Sequence, residues 1–161
     1  MRRLGQTPLT GEKKGSKRHV LVDGRGTPLS LAVTGANAHD VTQLETVLDG
    51  IAVERPAATC ASPQHLCADK GYSGKPALEI IMSRGYTPHI KQRGEEALEK
   101  KTVPGHKARR WVVEACHSWF NRFRKLLVRF EKKASSHLAL AHLAAAIICL
   151  RKVGDGDIIY G

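Results

Sequence analysis

The sequence predicts a mixed α/β domain, and three observations lead to this fold class. Two short segments rich in apolar and β-branched residues, 18–23 and 27–34, meet at the turn sequence DGRG, which is typical of a β-hairpin. Apolar residues recur at helical spacing further along the chain, with two short strand-like segments between them. No glycine fingerprint follows a strand, which excludes a dinucleotide-binding unit.

After the hairpin, the sequence predicts a helix and then a loop. Apolar residues recur every three or four positions over 41–51, and Asn37 or Asp40 is placed to cap this helix. Proline residues bound the stretch 56–63, which indicates a loop.

The middle of the chain predicts a strand, a helix and a second strand. Residues 66–69 are interpreted as a short buried strand, and 86–91 as another short strand. Pro76 is suited to the first turn of the helix between them, and Gly85 to its end. The polar stretch 92–107 is interpreted as a basic loop.

The last third of the chain predicts two helices. Residues 109–132 are expected to form the longest helix, and Ser135 or Ser136 is expected to cap a final helix that ends near residue 152. The apolar stripe of the longer helix comprises Val112, Cys116, Trp119, Phe120, Phe123, Leu127 and Phe130. Its polar face comprises Arg110, Glu114, His117, Asn121 and Lys125. The predicted organisation is a polar arm over 1–17, one domain over 18–153, and a tail over 154–161.

Charge and composition narrow the function. The chain has 161 residues, 42% of them hydrophobic, so it is long and apolar enough to bury a core. Its 26 Lys and Arg residues outnumber 15 Asp and Glu residues, for a net charge of +11. Fifteen of the basic residues follow position 90, whereas residues 33–64 hold only Arg55. This localised excess favours a polyanionic partner, nucleic acid first, over a charged surface kept for solubility.

Cysteine spacing and hydropathy exclude two further classes of protein. The four Cys residues show no CxxC spacing and are interpreted as buried free thiols in a reducing cytoplasm, so neither a zinc site nor a disulfide framework is expected. The longest apolar segment, 138–150, is interrupted by His142 and is predicted to be too short to cross a membrane.

Two carboxylates, Asp69 and Glu114, suggest metal-dependent nucleic-acid chemistry. An Asp at the end of a strand and a Glu on a helix packed on the sheet can hold two Mg²⁺ ions, which prefer oxygen ligands. Each residue also has a purely structural interpretation. Asp69 can cap the turn that follows it, and Glu114 can form an ion pair with Arg110 one helical turn earlier.

Other candidate groups receive structural interpretations. Asp23 is read as the first residue of the hairpin turn. The pair His39 and Asp40 is assigned to a loop, because it lacks partner histidines at metal-binding spacing. His65 and His89 flank predicted strands. They are expected to pack against neighbouring residues or to cap an element, and not to be catalytic.

The chain resembles the C-terminal part of the catalytic domain of bacterial insertion-sequence DDE transposases from residue 16 to about 130. Five phrases occur in that family's order, and together they make the resemblance specific. They are GSKRHVLVD with GTPL (15–23, 26–29), GANAHD (35–40), ADKGY (68–72), RWVVE (110–114) and WFNRFR (119–124).

The resemblance implies a fold, an activity and a site. The fold would be an RNase H-like mixed sheet with flanking helices, and the activity DNA strand cleavage and transfer with two Mg²⁺ or Mn²⁺ ions. Asp69 would be the second catalytic acid and Glu114 the third, and both would bind metal. The residues implied to lie near DNA are Arg110, Asn121, Arg122, Arg124 and Lys125.

One departure affects the expected activity. The family's first catalytic Asp lies on a central strand before residue 15, and residues 1–14 contain no Asp. We therefore expect a sheet without its first, central strand and a chain that does not cleave DNA by itself. The expected partners are transposon and target DNA, and an upstream-frame product or a full-length transposase, in the bacterial cytoplasm at the nucleoid. The alternative is a non-catalytic DNA-binding remnant or regulator; an RNA-associated protein explains the charge but not the two acids.

Overall fold

A computed structural model describes residues 15–90 and 110–153 of the chain, except for the side chain of Arg110. It confirms a mixed α/β arrangement of small sheets and helices. The strands are β1 (Ser16–Val22), β2 (Pro28–Gly35), β3 (Gln64–Ala68) and β4 (Tyr86–Ile90). The helices are α1 (Leu44–Asp49), α2 (Lys75–Ser83), α3 (Arg110–Asn121), α4 (Arg124–Leu127) and α5 (Ala134–Val153), with 3₁₀ turns at Asp40–Gln43 and Lys70–Tyr72.

The predicted hairpin is confirmed. Strands β1 and β2 pair antiparallel, with Val20 opposite Leu31. Asp23 shapes the turn, since its Oδ1 accepts hydrogen bonds from the backbone N–H groups of Arg25 and Thr27 at 2.8 Å each. Strand β1 begins at Ser16, two residues earlier than the sequence indicated.

Strands β3 and β4 form a second, parallel pair joined through α2. Gln64 lies opposite Tyr86 and Ala68 opposite Ile90. Gly85 adopts a φ of +76°, and its N–H donates to the Met82 carbonyl, which ends α2 as expected. Within residues 15–90 and 110–153, the four strands form two separate two-stranded sheets.

Two hydrophobic clusters organise these elements. The first cluster joins the hairpin to α3, α4 and α5, and comprises Val20, Leu31, Cys116, Phe120, Leu126, Ala141, Ala144 and Ile148. The second cluster joins α1, α2 and β3, and comprises Leu44, Leu48, Leu66, Tyr72, Ala77 and Ile81. Leu21 of β1 packs against the second cluster, so the hairpin touches both.

The end of α5 is anchored to the hairpin turn. Lys152 lies with Nζ 4.2 Å from the ring centroid of Trp119 and donates a 2.7 Å hydrogen bond to the Arg25 carbonyl, 127 residues away in sequence. Gly26 makes the close packing possible, because a Cβ there would lie 3.2 Å from the Trp119 ring. Its φ of +85° also favours glycine.

The prediction of one long helix over 109–132 is wrong. Helix α3 ends at Asn121, Phe123 is extended, and the short α4 follows. The break turns Leu126 into the first cluster, while Leu127 and Phe130 stay 54% and 70% exposed. A straight helix would not place Leu126 in this way, so tertiary packing outweighs the apolar periodicity.

The final helix differs from the prediction in its start and its length. Helix α5 begins at Ala134, so Ser135 and Ser136 lie inside its first turn. It is the longest described helix, at 20 residues, and its length and mean hydropathy of 1.4 would suffice to cross a membrane, contrary to the expectation from 138–150. Its buried residues pack on the hairpin, α3 and α4, and 22% of its apolar stretch is buried.

Three smaller expectations are also corrected. His39 occupies the N-cap position before the turn Asp40–Gln43, so neither Asn37 nor Asp40 caps it. The four Cys residues are free, as predicted, but Cys60 and Cys67 are exposed. Cys67 is exposed because β3 buries one face, so its side chains alternate between the second cluster and solvent.

Candidate active site

Asp69 lies directly after β3, at the start of the 3₁₀ turn Lys70–Tyr72. Its backbone is extended, and its Oδ1 accepts a 3.1 Å hydrogen bond from the Gly71 N–H. The capping interpretation of Asp69 is therefore confirmed. A cap does not exclude metal binding, because a carboxylate offers several acceptor positions on its two oxygens.

Glu114 projects from the exposed side of α3. Val112 and Cys116, two residues away on either side, are buried, so Glu114 lies on the opposite side of the helix. The predicted pair with Arg110 involves a side chain outside the described residues. Asp69 and Glu114 thus come from elements that belong to different clusters, and their shared metal site stays a prediction.

A second acid, Asp40, lies close to the Asp69 turn. Tyr72, which is buried in the second cluster, has its pKa raised by burial first and then by the negative charges of Asp40 and Asp69. Asp40 Oδ1 forms a 2.8 Å salt bridge with Lys17 Nζ on β1, and Lys17 also donates to the Ala38 carbonyl at 2.7 Å. The hairpin is therefore tied to the Asp69 side of the molecule through charged groups.

Sequence reasoning missed the polar residues buried in β1. His19 is fully buried, and its Nε2 lies 2.7 Å from Thr34 Oγ1. Burial lowers the pKa of His19, while Asp40 opposes that shift and Lys17 adds to it. Charged residues are seldom fully buried, so Lys17 and Arg18 gave no signal of a core strand.

Arg18 connects β1 to α3. Its Nη2 donates a 2.6 Å hydrogen bond to Asn121 Oδ1, and its guanidinium carbon lies 5.0 Å from the centre of the Phe120 ring. Burial lowers the pKa of Arg18 to about 10. Asn121, a predicted DNA contact, is half-buried and already binds Arg18 through its side-chain oxygen.

Three of the four remaining predicted DNA contacts lie at the break after α3, whereas the side chain of the fourth, Arg110, is outside the described residues. Arg122, Arg124 and Lys125 are all exposed, and they form a run of positive charge next to the helix that carries Glu114. The Arg129 guanidinium, by contrast, donates to Ser16 Oγ and to the carbonyls of Glu131 and Lys132. Arg122, Arg124 and Lys125 are therefore the side chains suited to bind DNA phosphates.

Within residues 15–90 and 110–153, no three His, Cys, Asp or Glu side chains are gathered into a group that could hold a metal ion. The two predicted catalytic acids are thus not joined by a third in this part of the chain. A two-metal centre depends on several carboxylates that fix both ions.

Comparison with known proteins identifies the family. Residues 66–151, just over half of the chain, match the model of the transposase DDE domain family. A Burkholderia cepacia protein assigned as a transposase of insertion sequence element IS402 is 36% identical over 157 residues, which cover 96% of this chain and 72% of that protein. The chain therefore belongs to the insertion-sequence DDE transposases, and the predicted resemblance is confirmed.

A second relative has nearly the same extent as this chain. A Brucella ovis protein assigned as a transposase of insertion sequence element IS6501 is 27% identical over 141 residues, which cover 84% of this chain and 98% of that protein. No solved structure matches the chain. Family membership associates the chain with DNA transposition, and the general chemistry of the family is polynucleotidyl transfer.

Proposed function

We propose that this chain supplies two of the three acids of a DDE transposase site, Asp69 and Glu114, for Mg²⁺-dependent DNA cleavage and strand transfer. The observation that carries the proposal is the position of Asp69 at the carboxyl end of β3, where the turn Lys70–Tyr72 fixes its backbone. Glu114 is exposed on a helix that Arg18 and Phe120 hold to β1. Both carboxylates would bind Mg²⁺ or Mn²⁺ through oxygen, as hard cations require.

The two small sheets are, in this proposal, parts of one RNase H-like sheet. Strands β1 and β3 each pair with a single described strand, which leaves one edge of each for a further neighbour. The first five residues of β1 are buried, as in a strand inside a sheet and not at its margin. A strand from an upstream segment or a partner transposase would fit between β1 and β3 and bring the missing acid.

A plasmid nicking assay tests this proposal. The chain alone is expected not to nick a supercoiled plasmid that carries insertion-sequence ends, with either Mg²⁺ or Mn²⁺, because two acids hold two ions poorly. A fusion of this chain to an added upstream segment that supplies a strand-borne Asp is expected to nick it. Asp69→Asn or Glu114→Gln should abolish that activity, whereas Glu79→Gln, at an exposed acid on α2, should not.

Two results would contradict the proposal. Nicking by the isolated chain that is lost in Asp69→Asn would show that two acids suffice. A fusion whose activity survives both Asp69→Asn and Glu114→Gln would show that these residues are not the catalytic acids.

A second candidate function, DNA binding without catalysis, is favoured by the exposed basic run Arg122, Arg124 and Lys125. If the three side chains contact phosphates, affinity should fall steeply with salt. Replacing all three by Gln should reduce the slope of log affinity against log salt by about 3. A slope equal to that of the unchanged chain would exclude these residues from the interface.

A further inference from the structure

The parallel pair β3–β4 is covered on only one face. Leu66 and Ala68 of β3, with Tyr86 and Ile90 of β4, face the second cluster. The opposite face is exposed and carries His65, Cys67, Thr87 and His89. Parallel sheets are usually covered on both faces, so an open face with three metal-binding side chains is unexpected.

The two histidines on this face are in direct contact. His65 Nδ1 lies 2.7 Å from His89 Nε2, and the ring centroids are 4.7 Å apart. One nitrogen carries a proton and the other a lone pair, so the contact in the absence of metal is a hydrogen bond. Nitrogens directed toward one point on a rigid strand pair are also positioned to bind a cation when both rings are neutral.

Cys67 adds a thiol to the same face. It lies directly across from His89 in the strand register and two residues beyond His65 on β3. Neighbouring strands are about 4.8 Å apart, and residues two apart on a strand are about 7 Å apart. As they stand, the three side chains are not gathered closely enough to hold an ion, and a rotation of the Cys67 side chain is required to bring its sulfur to the histidine pair.

We propose that His65, His89 and Cys67 form a binding site for a divalent transition-metal ion of the Zn²⁺ type. On binding, the hydrogen bond between the histidines opens, both imidazole nitrogens donate lone pairs to the ion, and the Cys67 thiol releases its proton to solvent. A water molecule takes the fourth position of a tetrahedral site. Nitrogen and sulfur ligands select Zn²⁺ over Mg²⁺, so this site is chemically distinct from that of Asp69 and Glu114.

Occupation of this site would stabilise the strand that ends in Asp69. His65 and Cys67 belong to β3 and His89 to β4, so a bound ion links the two strands two residues before Asp69. The inference does not depend on the proposed transposase chemistry, because none of the three ligands is a catalytic acid.

Metal titration of the untagged, reduced, metal-free full chain tests the inference. With Co²⁺ as the probe, we expect one ion per chain, visible d–d bands and a near-ultraviolet band from thiolate-to-cobalt charge transfer, all removed by Zn²⁺. His65→Ala and His89→Ala should each weaken Zn²⁺ binding by more than the roughly 10–100-fold that loss of an outer-shell partner causes. Cys67→Ser should remove the charge-transfer band and keep weaker binding.

Matched controls separate this site from other exposed ligands. His142→Ala and Cys60→Ser alter exposed residues outside β3 and β4 and should leave binding unchanged. Thr87→His adds a third histidine opposite His65, and should tighten Zn²⁺ binding at least about tenfold. Circular dichroism of each variant establishes that it is folded.

Three outcomes would overturn the inference. They are Zn²⁺ binding that is unchanged in both histidine variants, an equal loss of binding in His142→Ala, and unchanged binding in Thr87→His. Binding without the charge-transfer band would remove Cys67 from the site.

Discussion

Strands β1 and β3 are each central to one hydrophobic cluster, but they are buried in different ways. The first five residues of β1 are all buried, including Lys17, Arg18 and His19, whose polar groups bind residues on β2, α3 and the loop after β2. Strand β3 buries Leu66 between exposed His65 and Cys67. The β1 side therefore depends on long-range polar contacts, whereas the β3 side depends on one apolar face and leaves the other available for ligands.

The largest effect on stability is expected from a substitution in the first cluster, which packs against β1. Phe120 is fully buried in the first cluster and lies against the Arg18 guanidinium. Phe120→Ala should lower the free energy of unfolding by about 3–5 kcal/mol, from lost burial and a cavity. Urea denaturation measures the change, and hydrogen exchange should show protection lost in β1 and β2 before β3 and β4. Phe130→Ala, at a 70% exposed position, is the control and should change little.

A similar substitution in the second cluster should reverse the order in which the two strand pairs lose protection from hydrogen exchange. Ile81 is fully buried in the second cluster, and Ile81→Ala should lower the free energy of unfolding by about 2–5 kcal/mol. Exchange should then increase first in β3 and β4. Neighbouring Met82 is exposed, so Met82→Ala is the matched control. If both core variants increased exchange equally in all four strands, the two clusters would form a single cooperative unit, and the comparison would fail.

The smallest expected effect is a pH dependence confined to the β1 side. Burial lowers the pKa of His19 below its ordinary value near 6.5, so the folded state holds the neutral ring. Below about pH 6.5, His19 is protonated in the unfolded chain but still neutral in the folded chain. The free energy of unfolding therefore decreases as the pH falls from about 6.5 to the pKa of His19 in the folded state. The pKa of His137 is also lowered, by burial first and then by Arg129, and it adds to the same trend.

The measurement compares urea midpoints between about pH 7.5 and 5.5. His19→Gln should show a smaller loss of stability on acidification than the unchanged chain, because one of the groups that favour the unfolded state at low pH is gone. His142→Gln, at an exposed position, should retain the full loss. An equal loss in His19→Gln would show that another group controls the acid sensitivity.

Local sequence signals predicted the elements that local geometry decides. The DGRG turn, the strand before Asp69 and the glycine after α2 each depend on backbone preferences within a few residues, and each was located to within about two residues. Asp69, which we propose as the second catalytic acid, was located at the end of its strand for the same reason.

Long-range packing decided what the sequence did not reveal. The stripe through Phe123 and Leu127 indicated a continuous helix, but burial of Leu126 against α5 required a break. Cys67 gave an apolar signal like that of a strand covered on both faces, and the structure covers one. Buried Lys17, Arg18 and His19 depend on partners up to 103 residues away, which no local pattern predicts.

The anchor between Lys152 and the hairpin turn has a consequence for synthesis of the chain on the ribosome. Strands β1 and β2 emerge early, but Lys152 is translated 127 residues after Arg25, and the Ala and Ile residues of α5 that cover the hairpin come only shortly before it. At a translation rate of about 5–20 residues per second, roughly 6–25 seconds pass between synthesis of the hairpin turn and synthesis of the end of α5. The apolar face of the hairpin is accessible to chaperones during that time, and a ribosome that stalls before α5 would release a chain with this face exposed.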